Sequence, residues 1–403
     1  MVTSPDDKGR DEQPLTDGEP LLGWLLDASH ELPPDDVAQM VATAASGLGA
    51  RKVQLYLVDV DQRQLVPVLS TGPGAVEPLD IEGTLAGRAF QTSLPAGSEG
   101  PGPMWFPVRD GADRLGVLRM ELAEYDDQVE ARARHLASLT ADLVVAKRQY
   151  GDLFHRVRRR RPLGLAAEVQ WHLLPPLTFS CPRVQVAGIL EPAYDVAGDS
   201  FDYAMNGDIL SAAVFDGVGH DLTSTVMTTV AVGAYRHARR GGLDLVQMAT
   251  EIDDALRAQF QDQSFVTAAL TQIDVSTGAV RWLNAGHPRP LLLRDGQVVR
   301  TLQCRPRPPL GILHGLHGDP EIGTEQLEPG DALLLFTDGV VEARSSTGRA
   351  FGFERLADFF QRAAASELGP PETLRRLVHA IVEHHDGRLQ DDATCVLIEW
   401  SSR

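Results

Sequence analysis

Glu191 to Asp221 reads EPAYDVAGDSFDYAMNGDILSAAVFDGVGHD, with acidic residues beside glycines at the ends of two apolar, alternating segments. The first segment, Asp199 to Met205, reaches Asn206-Gly207, and the second, Ile209 to Phe215, runs into Asp216-Gly217. Asn-Gly between two such runs is a strong hairpin signal. Antiparallel strands joined there bring Asp199, at the start of one, near Asp216, at the end of the other. Two carboxylates at one end of a sheet repel, and one is driven toward protonation unless a cation intervenes. A divalent metal removes the conflict, and oxygen-only ligation favours Mg²⁺ or Mn²⁺ over zinc. The glycine after Asp216 allows close backbone approach, so the Gly217 carbonyl is a further candidate ligand. For this stretch alone the competing reading is an ordinary hairpin with a solvated acidic rim.

Outward from the hairpin, Val184 to Leu190 reads as a preceding strand, and Leu222 to Arg239 and Asp244 to Phe260 as helices. Strands follow at Thr267 to Val275, Ala279 to Asn284, Pro290 to Leu293, Gln297 to Leu302, Glu321 to Leu327 and Ala332 to Thr337. Helices Phe353 to Ala364 and Pro371 to His384 and a final strand, Thr394 to Trp400, complete the chain. Strands with segregated helices predict an α+β fold, here two sheets packed as a sandwich and flanked by helices. Two more acidic positions border these strands: Asp338, in a second Asp-Gly pair after Ala332 to Thr337, and Asp391, in the run Asp391-Asp392 before the last strand. Any one is an ordinary turn residue. Asp199, Asp216, Asp338 and Asp391 together are better explained by a binuclear metal site.

The motifs carrying these residues resemble the bacterial sporulation-type (SpoIIE/RsbU-like) serine/threonine phosphatases of the metal-dependent protein phosphatase 2C superfamily. They are Gln170 with LLPP, EPAYDVAGDSFD, FDGVGHD, LNAGHPRPLLL, PPLGI, LLLFTDGVVEA and LQDDATCVLI, in the family order, from about Leu165 to Trp400. The resemblance implies that Asp216 bridges two Mn²⁺ or Mg²⁺ ions with help from the Gly217 carbonyl. Asp338 and Asp391 complete the coordination, with Asp199 on the ions or immediately behind them. It further implies hydrolysis of phosphoserine or phosphothreonine in a phosphorylated anti-anti-sigma (STAS-type) partner, which frees a sigma factor by a partner switch. Paired ions supply an activated water, so no protein nucleophile is needed; the sequence has neither a cysteine-phosphatase motif nor a nucleophile elbow. His220 and His287 are candidates for leaving-group protonation, although His287 better suits shaping the loop after Asn284. The family often has Met, Gly and Gly where this chain has Val218, Asp221 and Ala197; Asp221 adds a charge beside the site and also makes a good helix N-cap.

Upstream, Leu21 to Ala45 has helical spacing broken by Pro33-Pro34, and alternating runs at Val53 to Val60, Gln64 to Ser70, Met104 to Arg109 and Leu115 to Leu122 surround a short helix, Gly83 to Gln91. ARKVQLYLVD, GTLAGRAFQTSLP and MWFPVRDGADRLGVLRMEL resemble a GAF domain over residues 21–145. The resemblance implies a sensory role; no residue cluster identifies its ligand. Residues 1–20 are acidic with almost no apolar side chains and are expected to be a disordered tail. Residues 146–180 form the expected helical linker, and residues 181–403 the phosphatase domain. Asp126 to Arg161 reads as one long helix whose stripe, Val129, Leu136, Leu139, Leu143, Ala146, Tyr150 and Phe154, predicts a homodimer through a coiled coil.

The 403 residues exceed what one core usually supports, and the formal net charge of -19 argues against a nucleic-acid partner. Three scattered cysteines in no metal spacing fit a reducing cytoplasm, and no apolar run is long enough to span a membrane. The chief alternative is a non-catalytic sensor scaffold that binds a signalling partner. Loss of Asp216 or Asp338 would favour it, and both are present. A cyclic-nucleotide phosphodiesterase would need a histidine-rich metal site rather than an all-carboxylate one.

Overall fold

The central hairpin forms, one residue later than the Asn-Gly signal places it. In the computed structural model β8 (Asp199–Asn206) runs through Asn206, which pairs with Ile209 at the start of β9 (Ile209–Gly217), and the loop is Gly207-Asp208. Gly207 takes φ +59°, the left-handed region that glycine enters at low cost. Centring the turn on Asn206-Gly207 would have set Asp199 opposite Val214; the observed register sets it directly opposite Asp216.

The structure describes residues 25, 27–68, 76–97, 102–191, 194, 198–219, 221–260, 264–312, 320–366, 368–385, 389 and 391–401. The expected tail, 1–20, lies outside them, as do Ala197 and His220. The chain divides into two units, one of residues 1–110 and 114–160, the other of residues 161–403 with 111–113.

The second unit has two sheets. One runs in the order β14 (Gly323–Gln326), β11 (Ala279–Ala285), β10 (Val266–Asp274), β9, β8. The other runs β13 (Gln297–Thr301), β12 (Leu291–Arg294), β15 (Ala332–Phe336), β16 (Ala393–Trp400), β7 (Val184–Glu191), β6 (Thr178–Cys181). Between them lies a core shared by both, including Phe201, Val214 and Ala269 from one sheet and Val186, Leu335 and Val396 from the other. Helices Leu222–Arg240 and Leu245–Gln259 cover the outer face of the first sheet, where Met227, Tyr235 and Ile252 meet Phe215 and Leu270. Helices Gly352–Ala364 and Pro370–His384 cover the outer face of the second, where Phe360 and Leu377 meet Ile189 and Leu334. Packed on both faces, β15 reads as the apolar run ALLLF, and β16, ATCVLIEW, is apolar apart from Thr394 and Glu399. The edge strand β6 and the short helix Gly339–Glu342 have no periodicity of their own and were not expected from sequence.

The first unit has a five-stranded sheet, β3 (Leu79–Asp80), β2 (Gln64–Pro67), β1 (Ala50–Val58), β5 (Asp113–Leu122), β4 (Met104–Asp110). Helices Val37–Gly47 and Asp127–Lys147 pack on one face, and helix Leu85–Thr92 on the other through Phe90. The single long helix expected over 126–161 is corrected. It stops at Lys147, passes through a 3₁₀ turn at Arg148–Tyr150 and an extended Gly151, and restarts as Leu153–Val157. Its buried face carries Ala133, Ala137 and Ala141 beside Leu136 and Leu143, and these enter the core of the first unit with Phe154. Tyr150, counted in the stripe, is 76% exposed. The apolar face is therefore covered within its own chain, and it carries no argument for a coiled-coil dimer. Among the described residues, no helix is long and apolar enough to cross a membrane.

Candidate metal centre

Four side chains line up across one end of the first sheet of the second unit. Asp199 faces Asp216 across β8 and β9, Asp216 faces Thr267 across β9 and β10, and His287 follows the bridge between Ala268 and Gly286. Directly opposed residues of an antiparallel pair project from the same face. The second sheet brings its own polar ends to this row. Thr337, at the end of β15, donates its hydroxyl to Asp199 Oδ2 at 2.6 Å and accepts the Thr394 amide at 3.0 Å. Asp392, just before β16, accepts the amides of Gly198 at 2.8 Å and Asp199 at 3.3 Å through Oδ2. Asp199 and Asp392 are only 3% and 6% exposed.

Two hydroxyls of the helix Leu222–Arg240 brace the backbone beneath. Ser224 donates to the Gly217 carbonyl at 2.7 Å and Thr228 to the Gly198 carbonyl at 2.6 Å. Asp221 caps that helix, its Oδ1 accepting the amides of Thr223 and Ser224, which places its charge on the helix start. A carbonyl oxygen has two lone pairs, so Gly217 keeps one for another partner. A Cβ on Gly217 would lie 2.5 Å from Thr228 Oγ1 and 2.7 Å from Ser224 Oγ, so a side chain there would displace the hydroxyls that brace this backbone.

The electrostatics bring the remaining predicted residues to the same place. Burial first, then the charges of Asp338, Asp391 and Asp392, push Asp216 up to about 7. Burial and the charges of Asp392 and Asp216 hold Asp199 well above the usual carboxylate range, and burial and the charge of Asp391 raise Asp338. Asp338 precedes the short helix Gly339–Glu342, and Asp391 is exposed, accepting the Asp392 amide on Oδ1 at 2.9 Å. Asp199, Asp216, Asp338 and Asp391 thus act on one another as charges, with Asp392 as a fifth. Among the described residues, no three acidic, histidine or cysteine side chains close into an ion-holding cluster. The fit to a hard divalent cation therefore rests on the oxygen-only donor set and on carboxylates that raise one another's proton affinity, a cost a cation relieves.

A pH dependence follows. Asp216, Asp199 and Asp338 hold protons more tightly folded than unfolded, so without metal their contribution to stability is full below the ordinary carboxylate value and is lost as pH rises through the folded values. For Asp216 that window runs from 3.8 to about 7. In EDTA, Asp216→Asn should melt with wild type near pH 4 and above it by pH 7.5. A melting-temperature difference that stays constant across the range would remove this account of the site.

His287 is buried and, chiefly through burial, is lowered to about 3, so it is neutral at physiological pH. Asn284 clamps its backbone, accepting the His287 amide at 3.0 Å and donating to its carbonyl at 2.7 Å. A neutral, enclosed imidazole holding its loop accords with the loop-shaping reading rather than with a proton donor. Sequence reasoning did not single out Asp392, Thr337, Thr267, Ser224 or Thr228. The available signal was a polar residue at the end of an apolar strand, as in Thr337 before Asp338.

A family model described as stage II sporulation protein E (SpoIIE) matches residues 206–401. Over these residues the second unit is similar to the SpoIIE family. Protein IcfG of Synechocystis sp. is 25% identical over 268 residues, covering 59% of this chain and 41% of its own length. Phosphoserine phosphatase RsbP of Bacillus subtilis is 26% identical over 250 residues, covering 60% of this chain and 59% of its own. The chain therefore spans less than two thirds of either curated relative. Among solved structures, the SiaA-PP2C domain of Pseudomonas aeruginosa aligns with a TM-score of 0.50 and 25% identity, over 59% of this chain and 94% of that one. The second unit has the PP2C-like fold, and its two sheets bring the acidic residues above to one end.

Proposed function

We infer that this chain is a Mn²⁺- or Mg²⁺-dependent phosphatase acting on phosphoserine or phosphothreonine in a protein. The observation that carries the reading is the row Asp199, Asp216 and Thr267 at one sheet end, with Asp338, Asp391 and Asp392 acting on it from the other sheet. The name of the relative RsbP supports phosphoserine as the substrate group. When bound, a pair of divalent ions supplies a water of lowered pKa and neutralises phosphate oxygens. Asp199, Asp216, Asp338 and Asp391 would hold the ions, with the Gly217 carbonyl adding an oxygen. Asp392 and Thr337 fix Asp199 by hydrogen bonds, and Ser224 and Thr228 keep the loop bearing Gly198 and Gly217 against the helix.

The partner best suited to this reading is a phosphorylated anti-anti-sigma (STAS-type) protein in a partner-switching pathway, with the first unit serving as a GAF-like sensor. The test is release of inorganic phosphate from such a phosphoprotein by the full chain. Hydrolysis is expected with Mn²⁺ and should disappear on adding EDTA in excess. Turnover undiminished by EDTA would exclude the reading.

A further inference from the structure

We propose that Arg289 and Arg305 form a cationic rim that selects phosphoserine segments carrying Asp or Glu beside the phosphorylated residue. The proposal rests on the phosphatase reading, and it names the substrate chemistry that this end of the sandwich favours.

The two arginines belong to adjacent loops at the acidic end. After β11 the chain crosses from the first sheet to the second through His287-Pro288-Arg289-Pro290 and enters β12, whose Leu291 pairs with Leu334 of β15. Both borders of this crossing meet the candidate centre. His287 Nδ1 lies 2.8 Å from the hydroxyl of Thr267, the cross-strand partner of Asp216, and β15 runs on into Thr337 and Asp338. The segment returning from β13 lies alongside. The Leu302 amide donates to the Pro290 carbonyl at 2.9 Å and the Arg307 amide to the Asn284 carbonyl at 2.9 Å, so Arg305 is held next to the crossing. Burial raises the Cys304 thiol, and the Arg289 charge is among the groups that draw it back down, which sets Arg289 near the neighbour of Arg305.

Both residues are exposed, and their charges are uncommitted. In the same stretch Arg294 pairs with Asp331, Arg300 with Glu325 and Arg307 with Asp253. Among the described residues, the guanidinium groups of Arg289 and Arg305 make no ion pair or hydrogen bond; Glu321 accepts the Arg305 backbone amide at 3.0 Å. An unpaired guanidinium presents a planar fork that fits a carboxylate.

The use of such a rim follows from charge. Asp199, Asp216, Asp338, Asp391 and Asp392 make the centre acidic, and the chain carries a formal net charge of -19. A substrate segment with acidic flanks is therefore repelled unless local cations offset that field. Charge complementarity at a rim acts on encounter and binding, not on the reacting phosphorus, so it is read in KM and not in kcat.

Steady-state hydrolysis by the full chain with Mn²⁺ tests this on two phosphoserine peptides, one flanked by Asp and Glu and the other by Asn and Gln, with para-nitrophenyl phosphate as a substrate without flanks. Wild type should show a KM about 5-fold lower for the acidic peptide at similar kcat, a preference that fades as NaCl rises from about 0.05 M to about 0.5 M. In the double variant Arg289→Glu with Arg305→Glu the preference should invert, while turnover of para-nitrophenyl phosphate stays within about 2-fold of wild type. Loosened packing would not invert a charge preference. Equal KM values for the two peptides in wild type overturn the proposal, as does a preference that survives in the folded double variant. Should that variant fail to fold, Arg289→Gln with Arg305→Gln takes its place, and the preference should vanish. Should wild type hydrolyse none of the three substrates, the phosphatase reading fails. Binding of the fluorescent acidic peptide in EDTA then decides the rim by itself: it should weaken about 5-fold in the double variant, and unchanged binding overturns the proposal.

Discussion

Replacing Asp216 by alanine should lower Mn²⁺-dependent phosphoserine hydrolysis by several orders of magnitude, each tenfold corresponding to about 1.4 kcal/mol of transition-state stabilisation. Asp216 is the middle of the row, facing Asp199 on one side and Thr267 on the other, and it feels Asp338, Asp391 and Asp392 from across the sandwich. Among the described residues, the two buried carboxylates beside it are not free to substitute for it. Asp199 and Asp392 are already tied to Thr337 and to the Gly198 and Asp199 amides. The fold should survive, because alanine relieves a repulsion instead of creating one. Phosphate release measured beside thermal melting separates the two effects. Activity within tenfold of wild type in a folded Asp216→Ala would show that the chemistry does not run through this carboxylate.

Gly339→Ala should instead unfold the domain more readily, lowering its melting temperature by roughly 10 °C, a loss of about 3 kcal/mol. A Cβ at Gly339 would lie 2.0 Å from the Asp392 carbonyl oxygen, and that oxygen belongs to backbone leading into a central strand. Neither side can move without shifting Thr337 and Thr394, which exchange backbone and hydroxyl hydrogen bonds at the same point. Gly217→Ala provides the contrast. Its new methyl would meet the hydroxyls of Thr228 and Ser224, which can rotate away, so the melting temperature should fall less. Calorimetry of both variants in EDTA checks the order; a smaller loss for Gly339→Ala would contradict it.

Much of this was legible in the sequence because period-two apolar runs ending in Asp-Gly leave little choice of where the acids fall. The strands from Val184 onward lie where alternation places them, and the hairpin brings Asp199 to Asp216. The exact register was not legible, since Asn206-Gly207 can sit at the centre of a turn or, as here, lead into it. The sequence reading singled out Asp391 and gave its neighbour Asp392 no role, because nothing before the strand says which of two adjacent residues turns inward. Burial selects Asp392 for the backbone amides and leaves Asp391 exposed. The hydroxyls of Ser224, Thr228 and Thr267 were hidden because threonine and serine in helices and strands carry no periodic signal. In the first unit, alanines at four-residue spacing, Ala133, Ala137 and Ala141, form much of the buried helix face, and the expected stripe left them out.

The position of β16 in its sheet bears on how the protein is made. This strand comes last in the chain, yet it lies between β15 and β7, and the residue just before it, Asp392, holds the amides of Gly198 and Asp199, 194 and 193 positions earlier. A nascent chain that has not reached residue 393 lacks a central strand of one sheet and one wall of the acidic site. Pairing so distant in sequence is slow to form, because the intervening loop must close before any contact rewards it. The acidic centre therefore depends on contacts made across 193 and 194 positions of sequence. A ribosome stalled anywhere upstream would present a partly folded chain without the centre that hydrolysis needs.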